Sequence, residues 1–274
     1  MNPRQAYSAR TGRTGTWRRV AAAVVPPLVP LVVVTAAVEL LVGFGAVPSW
    51  LVPAPSQVFA AMVDNAESLM RAMWETALGS AVGFAISATL GMGIAMVLSS
   101  SRLVQRAFYP YAIFFQTVPI IAVAPLLVIW FGNGINAVIA SACIVSVFPI
   151  IANTLAGLLS TDAALRDLFR LHRASRLATF WKLCLPFALP NILTGLRIGG
   201  GLSVIGAIVG EFITTGSGLG GLMTVARQQQ RTDLVFAGLL LSAVLGIALF
   251  GAINLASARS LRHWHASEQV GSEG

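Results

Sequence analysis

Long apolar runs, each followed by a short polar segment, recur along the chain. Six of them approach or exceed about twenty residues, the length that an α-helix needs to cross roughly 30 Å of hydrocarbon. The third and fourth runs are separated only by a tight turn at Gly132, Asn133 and Gly134. We expect six membrane-spanning helices at about residues 22–45, 73–98, 108–131, 134–158, 190–213 and 234–256.

The composition excludes a water-soluble globular protein. Of the 274 residues, 56% are apolar and only 10% are charged, and the mean hydropathy is +0.80. A soluble domain is nearer a quarter charged, because its surface needs a polar shell. The net charge of +8 does not indicate a nucleic-acid partner, since the basic residues do not gather on one amphipathic face. Membrane lipid is therefore expected to cover most of the surface.

The distribution of basic residues predicts the orientation. If the N-terminus lies in the cytoplasm, fourteen of the 18 lysines and arginines fall on that side, and Arg71, Arg227 and Arg231 fall outside. Positive residues collect on the cytoplasmic side of membrane proteins. We expect a multi-pass protein of the cytoplasmic (inner) membrane with both termini in the cytoplasm. The expected parts are a basic tail (1–19), one six-helix transmembrane domain (20–257) with a long basic cytoplasmic loop at about 159–189, and a C-terminal tail (258–274).

Two longer segments are predicted on the outer side. The first, about 48–71, carries prolines ahead of an amphipathic run, and Ser56 is expected to cap a helix that lies along the membrane surface. The second, about 214–233, contains the glycine-rich stretch 216–221. Glycine at this density permits a turn or a re-entrant loop at the outer mouth.

The sequence shows no pattern for chemistry on this chain. A phosphate-binding loop needs a Gly-Lys-Ser or Gly-Lys-Thr core, but the one lysine, Lys182, follows Trp181. The three histidines fall in predicted cytoplasmic segments and lack metal-ligand spacing. Cys143 and Cys184 indicate neither a disulfide framework nor a metal site. We therefore expect no catalytic residue, cofactor or metal on this chain.

The ionisable residues within predicted spans include Glu39 in the first, and Arg197 and Glu211 in the fifth. Arg197 and Glu211 are fourteen residues apart, so they share a helix face but stand about 21 Å apart along the axis and cannot pair. They either reach the two membrane interfaces or line a translocation path. Both interpretations stay open at this point.

The loop between the fourth and fifth spans contains an amphipathic pattern. Apolar residues at 165, 168, 169 and 171 have helical spacing, whereas Arg166, Arg170 and Arg173 face elsewhere. The pattern predicts a short helix outside the membrane. Pro186 and Pro190 follow and are expected to end the helix.

This loop resembles the cytoplasmic loop of the permease subunits of bacterial ATP-binding-cassette (ABC) importers. The matching elements are Ala174-Ser175-Arg176, Thr179-Phe180-Trp181-Lys182 and Leu185-Pro186-Phe187-Ala188-Leu189-Pro190, with Arg173 where the family has a glycine. Further matches are Gly195-Leu196-Arg197-Ile198, Gly210-Glu211-Phe212 and Ser217-Gly218-Leu219-Gly220. The pattern Pro53-x-Pro-Ser-x-Val-Phe looks like the importers for sulfonates, taurine, nitrate and pyrimidine-type thiamine precursors.

The resemblance implies an all-α membrane protein with the type I ABC importer fold, six transmembrane helices and a cytoplasmic coupling helix. It implies a transport subunit without its own ATPase site, with ATP and Mg bound by two copies of a partner ATPase subunit. The other implied partners are a second permease, as a homodimer or a sister chain, and an extracytoplasmic solute-binding protein. The residues expected to couple to the ATPase are Leu168, Leu171, His172, Arg173, Ala174, Ser175, Arg176, Phe180 and Pro186. The residues expected to line or gate the path are Arg197, Glu211, Gly218 and Gly220.

The expected solute is an organic sulfonate, taurine or a nitrate-like ion, and the alternative is a pyrimidine-type vitamin precursor related to thiamine or riboflavin. Two other classes of function remain as competitors. A proton-coupled secondary carrier would titrate Glu39 or Glu211. A membrane scaffold would show no dependence on a solute. Neither competitor explains the loop motif.

Overall fold

A computed structural model describes residues 15–214 and 217–261, and the remaining parts of the predicted tails lie outside the described residues. Within the described ranges the chain is helical, with no β-strand. We number the helices α1 (Gly15–Gly43), α2 (Pro55–Asp64), α3 (Ala66–Ser99), α4 (Arg102–Thr117), α5 (Ile120–Phe131), α6 (Ile135–Leu159), α7 (Ala163–Leu171), α8 (Arg176–Thr179), α9 (Leu185–Ile213), α10 (Gly218–Gln228) and α11 (Thr232–Leu261).

Four helices of the described chain are long and apolar enough to cross a membrane. They correspond to α3, α6, α11 and a continuous helix over Arg176–Ile213. Two shorter apolar helices, Leu28–Gly43 and Ile120–Phe131, lie in the predicted first and third spans. The all-α membrane fold is confirmed, whereas the count of six spans stays a prediction.

The third predicted span, 108–131, is wrong as a single helix. The chain forms α4 and α5, which are separated by Val118 and Pro119 in extended conformations. Pro119 lacks an N–H group and disfavours helical geometry in the residue before it, so the helix stops there. The turn predicted between the third and fourth spans is present, with Gly132 at φ 81° and Gly134 at φ 125°, values that favour glycine.

The centre of the bundle is the packed pair α6 and α9, with α3 against both. Glycines on α9 allow the two backbones to approach closely, since a Cβ atom at Gly206 would lie 2.8 Å from the Cα atom of Ala142. The buried Ser141 hydroxyl donates a hydrogen bond to the Gly206 carbonyl (2.7 Å). Small residues and interhelical hydrogen bonds hold membrane helices together where no water drives association. The pair therefore forms a rigid support for residues on α9.

The two ends of the bundle carry different elements. We call the end with α7 and α8 the loop end, and the end with α2 and α10 the far end. At the loop end, Leu98 of α3 packs near Leu155 of α6. At the far end, Val58 of α2, Leu69 of α3 and Ala226 of α10 share one apolar cluster.

Ser56 does not cap α2 as predicted. The N-cap is Ala54, and Pro55 occupies the first turn, where a missing N–H group is tolerated. The Ser56 hydroxyl and N–H both donate hydrogen bonds to the Glu39 carboxylate of α1, at 2.6 and 3.0 Å. Glu39 therefore supplies the acceptor for the first turn of α2 and ties α1 to α2.

Candidate functional site

The helix predicted in the long loop is α7, at the loop end. Asp162 caps it by accepting a hydrogen bond from the Ala164 N–H (2.9 Å). Its leucines are not covered by the rest of the chain, with Leu168 47% exposed and Leu171 81% exposed. An amphipathic helix with an uncovered apolar face is suited to a groove on another protein.

The turn after α7 forms although Arg173 stands where a glycine is usual. Arg173 has φ 52°, in the left-handed region. The Ala174 N–H donates to the Phe169 carbonyl (3.0 Å), and the Arg173 N–H donates to the Arg170 carbonyl (2.9 Å). These two bonds are the Schellman pattern that commonly ends helices. Arg173 therefore adopts the conformation of the missing glycine at a steric cost.

Arg166 connects α7 to α6. Its Nη2 atom donates a hydrogen bond to the Leu158 carbonyl (2.8 Å) in the last turn of α6. Carbonyl groups in the last turn of a helix lack intrahelical partners and favour a cation. Displacement of α7 would therefore pull on the end of α6.

Helix α8 leads directly into α9. The Ser175 side chain caps α8 by accepting from the Ala178 N–H (3.1 Å), and residues 180–184 then form a π-helical turn. The prediction that the proline pair ends the helix is wrong, whereas the loop boundary at about 189 stays a prediction. Pro186 lies directly after the π-helical turn, and the continuous helix runs on through Pro190.

Phe180 faces the bundle rather than the surface of the loop. It is half-buried and packs against the cluster formed by Leu158, Ala188 and Ile192. Its ring meets the Trp181 ring edge to face, with the centroids 5.6 Å apart. Phe180 therefore joins the π-helical turn to α6 and α9.

At the far end, a buried carboxylate meets the N-terminus of α10. Glu211 of α9 is only 1% exposed. Its Oε2 atom accepts hydrogen bonds from the Gly220 N–H (2.8 Å) and from the Thr76 hydroxyl (3.0 Å). Negative charge at a helix N-terminus is favourable, because the first N–H groups are unpaired and the helix dipole is positive there.

Three consecutive N–H groups in the first turn of α10 are paired with side chains of other helices. The Gly218 N–H donates to Glu75 Oε2 (2.9 Å), the Leu219 N–H to Thr76 Oγ1 (2.9 Å), and the Gly220 N–H to Glu211. Ser217, the N-cap residue, makes no side-chain cap of its own. We call Glu75, Thr76 and Glu211 the α10 cradle, since they bind the end of α10 to α3 and α9.

The glycines of α10 fit this cradle closely. Gly218 has φ 70°, and a Cβ atom there would overlap the Glu211 carboxylate. A Cβ atom at Gly220 would lie 2.8 Å from the Glu211 Cβ atom. The predicted path residues Glu211, Gly218 and Gly220 are thus together, whereas Arg197 lies about four helical turns away along α9.

Arg197 occupies the middle part of α9 and is half-buried. Its Nε atom is buried and has no hydrogen-bond partner among the described residues. One turn further on, a Cβ atom at Gly201 would meet no atom within 4 Å. Arg197 is therefore a half-buried cation beside open space, with no ion-pair partner among the described residues.

The structure exposes His172, Ser175 and Arg176 and leaves Ala174 and Pro186 partly covered. Their coupling role stays a prediction. Sequence reasoning missed Glu75, Thr76 and the α6 contact of Arg166. The adjacent Glu75-Thr76 pair within an apolar run was the available signal, since polar residues in a span need partners.

Comparisons with known proteins identify the family to which this chain belongs. Residues 87–262 match the family described as binding-protein-dependent transport system inner membrane component. The formylaminopyrimidine transport permease protein of Halalkalibacterium halodurans is 37% identical over 74% of this chain and 82% of its own length. The taurine transport system permease protein of Escherichia coli K12 is 36% identical over 74% of this chain and 71% of its own length.

The fold is also similar to that of a solved transporter. The MetNI methionine ABC transporter in an inward-facing conformation aligns with a TM-score of 0.61 and 20% identity, over 72% of this chain and 96% of the matched chain. At this identity the likeness shows the fold alone. Together with the family match and the two relatives, it leads to one conclusion: this chain belongs to the inner-membrane permease subunits of binding-protein-dependent ABC importers.

Proposed function

We propose that this permease couples through α7 to two copies of a separate ATPase subunit. ATP and Mg bind to that ATPase subunit and not to this chain. The observation that carries the proposal is the uncovered face of α7, where Leu168 and Leu171 are exposed at the loop end. Exposed arginines beside them, at 170, 173 and 176, supply a basic rim. An apolar ridge with a charged rim suits a groove on a soluble partner.

Two connections link α7 and the loop end to the far end. Arg166 ties α7 to α6, and the helix over Arg176–Ile213 is continuous for 38 residues, about 57 Å at 1.5 Å per residue. Its far end holds α10 through Glu211. Closure of the ATPase pair would therefore move the loop end, tilt α9 and shift α10 at the opposite mouth of the path.

The proposed machine contains two permease chains, most simply two copies of this one, with both termini in the cytoplasm. An extracytoplasmic binding protein delivers the solute to the far end, where α2 and α10 lie. The basic residues support this orientation, since Arg71, Arg227 and Arg231 alone among the predicted extramembrane cations fall at that end.

The proposed solute is a small sulfonate, with taurine or a nitrate-like ion as close variants. The taurine permease supports this choice. An uncharged pyrimidine-type precursor is the second candidate, because the formylaminopyrimidine permease is similarly related over the same share of the chain. The two candidates differ in charge, so the ionisable residues of the path discriminate between them.

Copurification with a candidate ATPase subunit tests the coupling. The wild type is expected to retain the ATPase, and Leu171→Glu is expected to lose it, because a carboxylate replaces an apolar anchor. Leu171→Met is the matched control, since it keeps an apolar side chain at a position that is 81% exposed. Equal retention of the ATPase by the Glu and Met variants would show that α7 is not the docking element.

A further inference from the structure

Arg197 has no partner in the described chain that would neutralise its charge. The ion pairs of the described residues are Arg71 with Glu75, Arg170 with Asp167, and Arg231 with Asp233. Two acidic residues of the apolar helices, Glu39 and Glu211, already accept hydrogen bonds at the N-terminal ends of α2 and α10. A charge within an apolar helix bundle is costly without a partner, so the half-buried Arg197, whose Nε atom is buried and unpaired, favours an anion or water from outside this chain.

The rest of the chain covers much of the helix that contains α9. Half of the apolar window of its continuous helix is buried, against 17% to 39% in the other three long apolar helices. Leu193 and Val204, each about one to two turns from Arg197, are buried as well. These surroundings disfavour an interpretation in which Arg197 only anchors to lipid headgroups.

The other side of Arg197 is open. Thr194 and Ile198 are exposed, and Gly201 leaves space where a side chain would stand. Arg197 therefore lies at the border between the packed face of α9 and an uncovered strip. The glycine contacts of α9 with α6 hold this border in place, because neither backbone can shift without a clash.

We propose that Arg197 is a specificity-determining residue of the translocation path that binds a small monovalent oxyanion, such as a sulfonate or nitrate. A guanidinium presents a planar fork of N–H donors that pairs with two oxygens of such an anion, and it stays charged at all physiological pH values. The proposal rests on the importer function proposed above and adds that this chain itself selects for negative charge. An uncharged aminopyrimidine would leave Arg197 unpaired during passage.

ATP-driven uptake in proteoliposomes tests the proposal, using the permease assembled with its ATPase and binding protein. The probes are ethanesulfonate, nitrate and an uncharged formylaminopyrimidine. Two variants remove the free positive charge: Arg197→Gln deletes it, and Gly201→Glu places a carboxylate one turn away, where it can pair with Arg197. The matched controls are Gly201→Gln, which adds similar bulk without charge, and Arg102→Gln, which removes an exposed arginine.

We expect ethanesulfonate or nitrate uptake to fall at least tenfold in Arg197→Gln and in Gly201→Glu, and to stay within twofold of wild type in both controls. ATP hydrolysis without solute should be unchanged in the Arg102→Gln control. If Arg197→Gln fails to assemble, the Gly201 pair decides, since it retains Arg197. Equal ethanesulfonate uptake by the Gly201→Glu and Gly201→Gln variants would overturn the proposal, and so would ATP-driven uptake of the uncharged probe alone.

Two further outcomes separate the alternatives. A defect in Arg197→Gln that applies equally to charged and uncharged probes, and that appears only in vesicles containing phosphatidylglycerol, would identify a lipid headgroup as the anion and refute the path assignment. An absence of ATP-driven uptake for every probe would instead refute the importer function on which the proposal rests.

Discussion

The α10 cradle makes a quantitative prediction for Thr76→Val. Thr76 is fully buried, and its Oγ1 atom accepts from the Leu219 N–H (2.9 Å) and donates to Glu211 (3.0 Å). Valine has the same shape without the hydroxyl, so it leaves a buried N–H unpaired, at about 1–3 kcal/mol. It also removes one donor from a buried carboxylate, at a further ~1–2 kcal/mol. The expected loss of local stability is therefore about 2–5 kcal/mol.

Hydrogen exchange in the peptide over residues 217–228 measures this loss directly. A loss of 2 kcal/mol raises the open population roughly thirtyfold, since each 1.4 kcal/mol is tenfold. Thr76→Ser is the matched control, because it keeps the hydroxyl and loses one buried methyl group, at about 1 kcal/mol. Exchange that is as slow in the valine variant as in the serine variant would refute the cradle as the element that holds α10.

Three other substitutions test local features of the fold. Arg173→Gly should raise the thermal midpoint of the purified chain by about 2–4 °C, because it removes roughly 1 kcal/mol of strain from a left-handed backbone conformation. An unchanged or lower midpoint would contradict the turn assignment. Gly206→Ala should lower the free energy of unfolding by about 1–3 kcal/mol, because the added methyl group overpacks against α6. Gly201→Ala, whose methyl group meets no atom, should be neutral or slightly stabilising. Similar thermal midpoints for the two variants would exclude close packing at Gly206. Ser56→Ala should weaken the attachment of α2 by about 1 kcal/mol and speed its proteolysis, because it removes the 2.6 Å hydrogen bond to Glu39. Unchanged proteolysis would show that this bond contributes nothing.

Hydrophobic runs predicted the helices of this chain well, because a bilayer requires long apolar stretches whose backbone bonds are satisfied within the segment. The errors lie where backbone chemistry overrides hydropathy. Pro119 divides an apolar run that hydropathy treats as continuous. Pro186 and Pro190 had the opposite outcome, since Pro186 follows the π-helical turn, Pro190 lies inside α9, and the helix ends at neither residue.

The candidate sites divide in the same way between local and non-local contacts. Helix α7 was predictable, since the spacing of Leu168 and Leu171 and the cap at Asp162 are local patterns. The α10 cradle was not, because Thr76 and Glu211 are 135 positions apart and meet only when α3 packs on α9. Spacing along α9 excluded a pair between Arg197 and Glu211, but it could not show that the partner of Glu211 is the end of α10.

If the proposed function is right, solute crosses through this chain only when an ATPase acts on α7. The direct measurement is solute uptake into proteoliposomes that hold the assembled complex, with ATP inside and a proton ionophore present, for wild type, Leu171→Glu and Leu171→Met. We expect ATP-dependent, ionophore-resistant uptake in the wild type and the Met variant, and a loss of at least tenfold in the Glu variant. Uptake that needs no ATP and stops when the ionophore collapses the proton gradient would contradict this expectation and identify a proton-coupled carrier.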